Sequence, residues 1–318
     1  MTEQAQLPKV LLDLTVRVGC KMQYHAPAET HALLAMKPRQ DMHQLIVEER
    51  LNFDRPVQAA DFEDDHGNHV LRFALEPGYT NIVFDAIVQV PSEPENFVHL
   101  DAPLRAEEIP ASLLRYTLPS RYCDSDKLRD FAWQNFGQFR HGLDRIHAIC
   151  DWLHHHIEYR TGSGSPELSA HDVIQRRYGV CRDLAHCGVA LCRTFNLPAR
   201  YVSGFVSDIG CVDPGTPMDF HAYFEVFMGG RWQTFDARFN APRIGRVRIS
   251  SGYDAATCAF STFYGAAHLT WFEVWSYQID PGEVHVGEPV DLSQRLCGDP
   301  EVRRPGARGE RPALQVVA

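Results

Sequence analysis

The chain reads as an α+β protein: an N-terminal antiparallel β-sandwich, followed by helices that pack on a second antiparallel sheet. Three observations predict this. Every second residue from Val10 to Tyr24 is apolar, through Leu12, Leu14, Val16, Val18, Cys20 and Met22, which is the period of a half-buried strand. Apolar residues then recur at helical spacing over 126–136, 143–156 and 180–195. Beyond 199 the alternation returns, with Gly229-Gly230 between two alternating segments.

In chain order, further strands are predicted at Ala32–Met36, Gln44–Phe53, Val70–Leu75 and Asn81–Val90, with D-D-H-G-N at 64–68 as a turn. Short strands without a helical period indicate the sandwich. It contains no group suited to catalysis; it either covers one side of the core, gates substrate, or offers a surface to a protein partner. Two prolines and two acids in P-S-E-P-E, 91–95, mark a boundary. The expected units are 1–95, a catalytic unit 96–285, and a tail 286–318 too poor in apolar residues to be more than partly ordered.

The helical part begins with a stripe of Leu128, Phe131 and Phe136, followed by one of Ile146, Ile149, Cys150 and Leu153. Ser169 with Asp172 three residues on is an N-cap pattern opening a short helix to Arg177. Gly179 interrupts. Leu184, Cys187, Leu191 and Phe195 then place Cys181 in the first turn of a helix, where unpaired N–H groups and the helix dipole favour a thiolate. Asn196-Leu197-Pro198 ends that helix, and Ala199–Phe205 reads as a strand.

A nucleophile needs a base. His221 opens the alternating run H-A-Y-F-E-V-F-M, and R-W-Q-T-F-D-A-R follows the Gly-Gly turn. With Gly229-Gly230 as a two-residue loop, Met228 faces Arg231, His221 opposes Arg238, and Asp236 lies one diagonal step away on the same face. Cys181, His221 and Asp236 thus form a candidate nucleophile, base and orienter. Strands at Arg246–Ile249 and His268–Ile279 close the fold.

G-V-C-R-D-L-A-H, the D-x-H of Asp219 and His221, and F-D-A at 235–237 resemble the bacterial transglutaminase-like superfamily. So do S-R-Y at 120–122, I-G-R-V-R-I-S-S-G-Y-D at 244–254, and D-D-H-G-N-H-V-L-R-F at 64–73 in the family's N-terminal β region. The resemblance implies a papain/transglutaminase-like core, a Cys-bearing helix packed on an antiparallel sheet, with Cys181, His221 and Asp236 at the three triad positions. Family members commonly carry Asp-Pro where this chain has Asp236-Ala237, which should alter the strand exit more than the role of the Asp. Bacterial relatives without the animal enzymes' calcium-regulated layout are usually read as hydrolases. Cysteine-dependent hydrolysis of an amide or peptide bond is therefore the expected activity. Protein-glutamine transglutamination and a non-catalytic binding or scaffold role are the alternatives.

Three residues are weaker candidates. Tyr159, in I-E-Y-R-T before the active helix, could supply the second oxyanion donor beside the Cys181 N–H. Asp183 could pair with neighbours or touch substrate, and Trp232 could wall the site or be core. The histidines of His154-His155-His156 point about 100° apart on a helix, so they cannot converge on one metal ion and read as a solvated helix end. No calcium loop is present, and neither metal nor cofactor is expected.

A net charge of −10, from 31 basic and 41 acidic residues, argues against nucleic acid and anionic membranes as partners. The first residues lack a leader pattern, and no stretch approaches the roughly 18 apolar residues of a membrane span. A cytoplasmic location is expected. Nine cysteines without a repeated C-x-x-C spacing argue against a disulfide framework.

Overall fold

A computed structural model describes residues 10–94, 105–210 and 217–291. Six strands come first: β1 (Leu14–Ala26), β2 (Thr30–Leu34), β3 (Leu45–Phe53), β4 (Ala60–Glu63), β5 (His69–Leu75) and β6 (Gly78–Val90). Leu14, Val16, Val18, Cys20, Met22 and Tyr24 of β1 are all buried, which is the alternation carried into space. Their cluster includes Leu34 of β2, Phe73 of β5 and Phe84 of β6.

The helical part comprises α1 (Arg129–Phe136), α2 (Gly142–His156), the short β7 (Glu158–Tyr159), α3 (Ala170–Arg176), the short β8 (Tyr178–Gly179) and α4 (Cys181–Thr194). Then come β9 (Ala199–Val206), β10 (His221–Met228), β11 (Arg231–Phe235) and β12 (Arg246–Gly252), which form an antiparallel sheet in the order β11-β10-β9-β12. Every residue of α4 from Asp183 to Arg193 is buried, so this helix runs through the core rather than over it. Gly188 sets its distance from the sheet. A Cβ there would stand 2.4 Å from the Phe224 ring of β10, so only glycine lets the two elements approach so closely.

Arg193 anchors the other end of α4. Its guanidinium donates to the carbonyls of Leu118, Ala199 and Tyr253 and to Ser120 Oγ, at 2.7–3.1 Å. Ser120 is the first residue of the S-R-Y motif, which gives that motif a packing role. Ser169 caps α3 as expected, exchanging bonds with Asp172.

Two strands depart from the predicted partition. β13 (Ser261–Tyr264) pairs with β2, and β14 (His268–Gln278) pairs with β1. The N-terminal region therefore consists of two four-stranded sheets, β14-β1-β6-β3 and β13-β2-β5-β4, completed by strands from the far end of the chain. Alternation marks a strand but not its partner, so the sequence placed 261–279 with the catalytic unit. Gly19 records the return of the chain: a Cβ on it would lie 2.4 Å from the Trp275 ring. Residues 286–291, assigned to the loose tail, are also held, because the buried Arg17 donates to the carbonyl of Pro289 at 3.3 Å and Asp85 accepts from Gly287 N at 2.7 Å. The rest of the predicted tail lies outside the described residues.

Candidate active site

The entry to α4 is built by local hydrogen bonds. Asp183 Oδ2 accepts from Val180 N at 3.1 Å, while Val180 O accepts from the N–H groups of Asp183 and Leu184. Asp183 is 1% exposed and also binds Arg176 Nη2 at 3.2 Å and Arg182 Nη2 at 3.5 Å. It caps the helix from a buried position. A Cβ on Gly179 would lie 3.0 Å from the Asp183 carboxylate, so glycine is what lets Asp183 fold back. The N–H groups of Cys181 and Arg182 are the remaining helix-opening donors.

The hairpin register matches the predicted one: Met228 pairs with Arg231, and the ladder ends at Phe224 with Phe235. Asp236 follows directly. Its Oδ2 lies 2.8 Å from His221 Nε2, the diagonal contact read from the sequence. Cys181 lies close enough to the same ring to help raise its basicity, and its Sγ stands 4.0 Å from Phe220 O. With Nε2 taken by Asp236, Nδ1 is the nitrogen left for the thiol. Cys181 is half-buried, whereas His221 is 2% exposed.

Asp236 has further partners. Arg246 Nη1 donates to Oδ2 at 2.8 Å, and the N–H groups of Arg238 and Phe239 donate to Oδ1 at 3.1 and 3.4 Å. Burial alone would raise this carboxyl, but the charges and hydrogen bonds of His221 and Arg246 hold it well below the usual carboxylate range. Burial likewise opposes the charged form of His221, yet Asp236 and then Cys181 raise its imidazole above the ordinary value. The carboxylate uses the N–H groups of residues 238 and 239 and not that of residue 237, so alanine in place of proline there leaves its hydrogen bonds as they are.

His154 Nδ1 lies 2.9 Å from Arg238 O and 3.3 Å from Ala237 O, tying the turn after Asp236 to the end of α2. It is more than a solvated helix end. His155 and His156 bond back to the carbonyls of Asp151 and Trp152. Among the described residues no group of three or more His, Cys, Asp or Glu could hold a metal ion.

Tyr159 is brought to the site by β7, which pairs in parallel with β8 so that Tyr159 faces Gly179, two residues before Cys181. Burial and the neighbouring Cys181 push its hydroxyl up to about 12. Trp232 is elsewhere. It packs on Tyr116 and Phe227 with Arg200 4.2 Å above its ring, and four strand residues separate it from Asp236 by roughly 13 Å. Arg246 was not anticipated. The spacing in I-G-R-V-R suggests a strand, but nothing in it shows that the first arginine reaches a carboxylate ten residues back.

A cavity of about 180 Å³ lies behind Asp236, walled by Tyr223, Thr234, Arg246 and Arg248 and by Val90 and Pro91 of the N-terminal region. Neither Cys181 nor His221 lines it. Its arginines close on carboxylates: Arg246 on Asp236, and Arg248 on Asp41 and Glu225.

No helix among the described residues is long and apolar enough to cross a membrane. The sequence model of the transglutaminase-like superfamily matches residues 133–237, which hold all three triad candidates. A solved structure from Cytophaga hutchinsonii, described as a "putative cysteine protease", superposes with a TM-score of 0.77 at 30% identity, covering 84% of this chain and 91% of that one. An uncharacterized protein of Mycobacterium tuberculosis is 28% identical over 183 residues, 54% of this chain and 58% of the relative. One of Mycobacterium leprae is 29% identical over 87 residues, 27% of this chain and 31% of the relative. The chain thus spans under two thirds of the length of the curated relatives it matches. The fold, the helix-borne cysteine and these likenesses agree: the chain belongs to the transglutaminase-like superfamily.

Proposed function

We propose that this protein is a cysteine-dependent hydrolase of amide or peptide bonds that works through a Cys181-His221-Asp236 triad in the cytoplasm. The observation that carries the reading is the position of His221, which holds Asp236 at 2.8 Å and lies near enough to Cys181 to be raised by it. A histidine so held takes a proton from the thiol and keeps it as an imidazolium, which the raised basicity of His221 favours.

Cys181 Sγ then bonds to the scissile carbonyl carbon, and the oxyanion turns to the Cys181 N–H, with Tyr159 as the second donor. His221 gives the proton to the leaving nitrogen as the C–N bond breaks, leaving a thioester. Water, deprotonated by the same ring, attacks the thioester and releases the acid and the thiol. Throughout, Asp236 fixes the imidazole's tautomer and direction, and Arg246 fixes Asp236.

The description of the Cytophaga hutchinsonii relative as a "putative cysteine protease" favours water over an amine as acceptor. The partial exposure of Cys181 is also what a working nucleophile needs, and a scaffold role would not require it. The test is mass spectrometry of glutamine-containing and acidic peptides incubated with the protein, with and without a primary amine. The reading expects cleaved or deamidated product that vanishes with Cys181→Ala. Amine-adducted product would name a transglutaminase instead, and no Cys181-dependent product at all would refute the enzyme reading.

A further inference from the structure

The arginines around the site fall into two kinds. Arg176 and Arg182 close on Asp183, and Arg246 on Asp236. Arg238 does not. Its backbone N–H serves Asp236, but among the described residues its guanidinium closes no ion pair and finds no hydrogen-bond acceptor. It lies instead 3.6 Å over the Tyr159 ring and 5.0 Å from the Phe239 ring, which is itself 5.1 Å from the His221 ring. Asp219 is near enough to feel its charge, yet Oδ1 of that carboxylate accepts from Phe220 N at 2.7 Å.

An arginine stacked flat on an aromatic ring keeps its in-plane N–H edge for another partner, and that edge matches a carboxylate in two parallel bonds. Tyr159 beneath it stands beside Gly179, at the foot of the Cys181 helix. The fork therefore rests on a ring that neighbours Cys181, and among the described residues it has no acceptor. In a protein of net charge −10, an acidic ligand meets a repulsive field unless a local cation receives it.

We propose that Arg238, seated on Tyr159, forms a subsite for a carboxylate of the acyl donor, so that the preferred substrates are peptides with an acidic group beside the bond that Cys181 attacks. The scissile bond in this statement rests on the triad reading; the carboxylate site does not. The carboxylate is either an Asp or Glu side chain or a free peptide C-terminus.

The test compares two alkylating reagents of nearly equal size at Cys181, the anionic iodoacetate and the neutral iodoacetamide, each normalised to its rate with glutathione. The expected result is a preference for iodoacetate of about tenfold, the scale of a partly exposed charge-assisted pair, lost in Arg238→Gln and partly kept in Arg238→Lys. Two peptides then separate the sources: one with an internal Glu and both ends capped, one neutral with a free C-terminus. Whichever slows alkylation in the wild type but not in Arg238→Gln carries the carboxylate that is read. Equal rates for the two reagents, a preference untouched by Arg238→Gln, or protection by neither peptide would overturn the proposal. Failure of the triad reading shows separately, as an iodoacetamide rate that His221→Ala does not change.

Discussion

Two buried histidines, one on the Cys181 helix and one on the strand packed against it, are driven in opposite directions by their surroundings. His186 on α4 lies between the rings of Tyr122 and Tyr201, and its Nε2 accepts from Ala255 N at 3.1 Å. Its Nδ1 is buried without a partner. Burial pushes its imidazole down to about 3, and the attraction of Asp254 does not offset it. His221 is as deeply buried, but a carboxylate at 2.8 Å and then the nearby Cys181 lift it above the ordinary value. Enclosure alone makes a neutral structural ring; enclosure with a positioned anion makes a base that keeps its proton.

The largest expected effect is at the proposed nucleophile. Cys181→Ala should lower turnover by at least about 10⁴-fold, as removal of a triad nucleophile does, while the melting temperature stays near wild type. Asp236→Asn removes the anion that separates the two histidines. It should lower kcat by roughly 10²–10⁴-fold and move the His221 titration, followed by NMR of the ring, toward the behaviour of His186. If the His221 titration does not move, Asp236 is not the cause of the difference.

Arg246 pairs with Asp236 and, on the proposed mechanism, is a positioning residue. Arg246→Gln should cost about tenfold in kcat, the weight of one lost charge-assisted bond, with partial recovery in Arg246→Lys and a matching shift of the pH profile. A purely structural arginine would lower stability and leave the profile in place.

The smallest effects are on stability, and their signs differ. A histidine with a lowered folded value stabilises the protein above the unfolded value near 6.5, and that contribution is lost as pH falls below it. His186 should therefore weaken the fold on acidification from about pH 6.5 to 4, by at most a few kcal/mol, and His186→Phe should flatten that limb. His221, raised, contributes fully below about 6.5, and its contribution is lost as pH climbs through its folded value. His221→Phe should flatten the alkaline limb. Denaturant titrations across pH read both slopes; identical limbs in the two variants would erase the contrast.

The His221 side of this contrast was legible in the sequence. A Gly-Gly loop sets a hairpin register, and register fixes which residues share a face, so His221 and Asp236 could be paired from the sequence alone. Cys181 followed from helical periodicity broken by Gly179. The other partner of Asp236, Arg246, was not legible, because it arrives from a strand three positions away in the sheet and sequence spacing carries no information about such a contact. The same limit hid the return of β13 and β14 to the N-terminal sheets, since an alternating strand looks alike whichever neighbour it joins. Trp232 shows the converse error: sharing a face with Asp236 does not bring a residue within reach when the strand separates them. His186 was visible in G-V-C-R-D-L-A-H but silent, because a buried histidine shows its neighbours only in the folded chain.

The most direct test of the account is the rate at which iodoacetamide labels Cys181 at neutral pH, resolved by peptide mass spectrometry and compared with glutathione, in the wild type, His221→Ala and His186→Phe. The account predicts that Cys181 outpaces glutathione, that His221→Ala removes this advantage, and that His186→Phe preserves it. A Cys181 that reacts no faster than glutathione, or whose rate is indifferent to His221, would contradict the pairing on which the proposed chemistry rests.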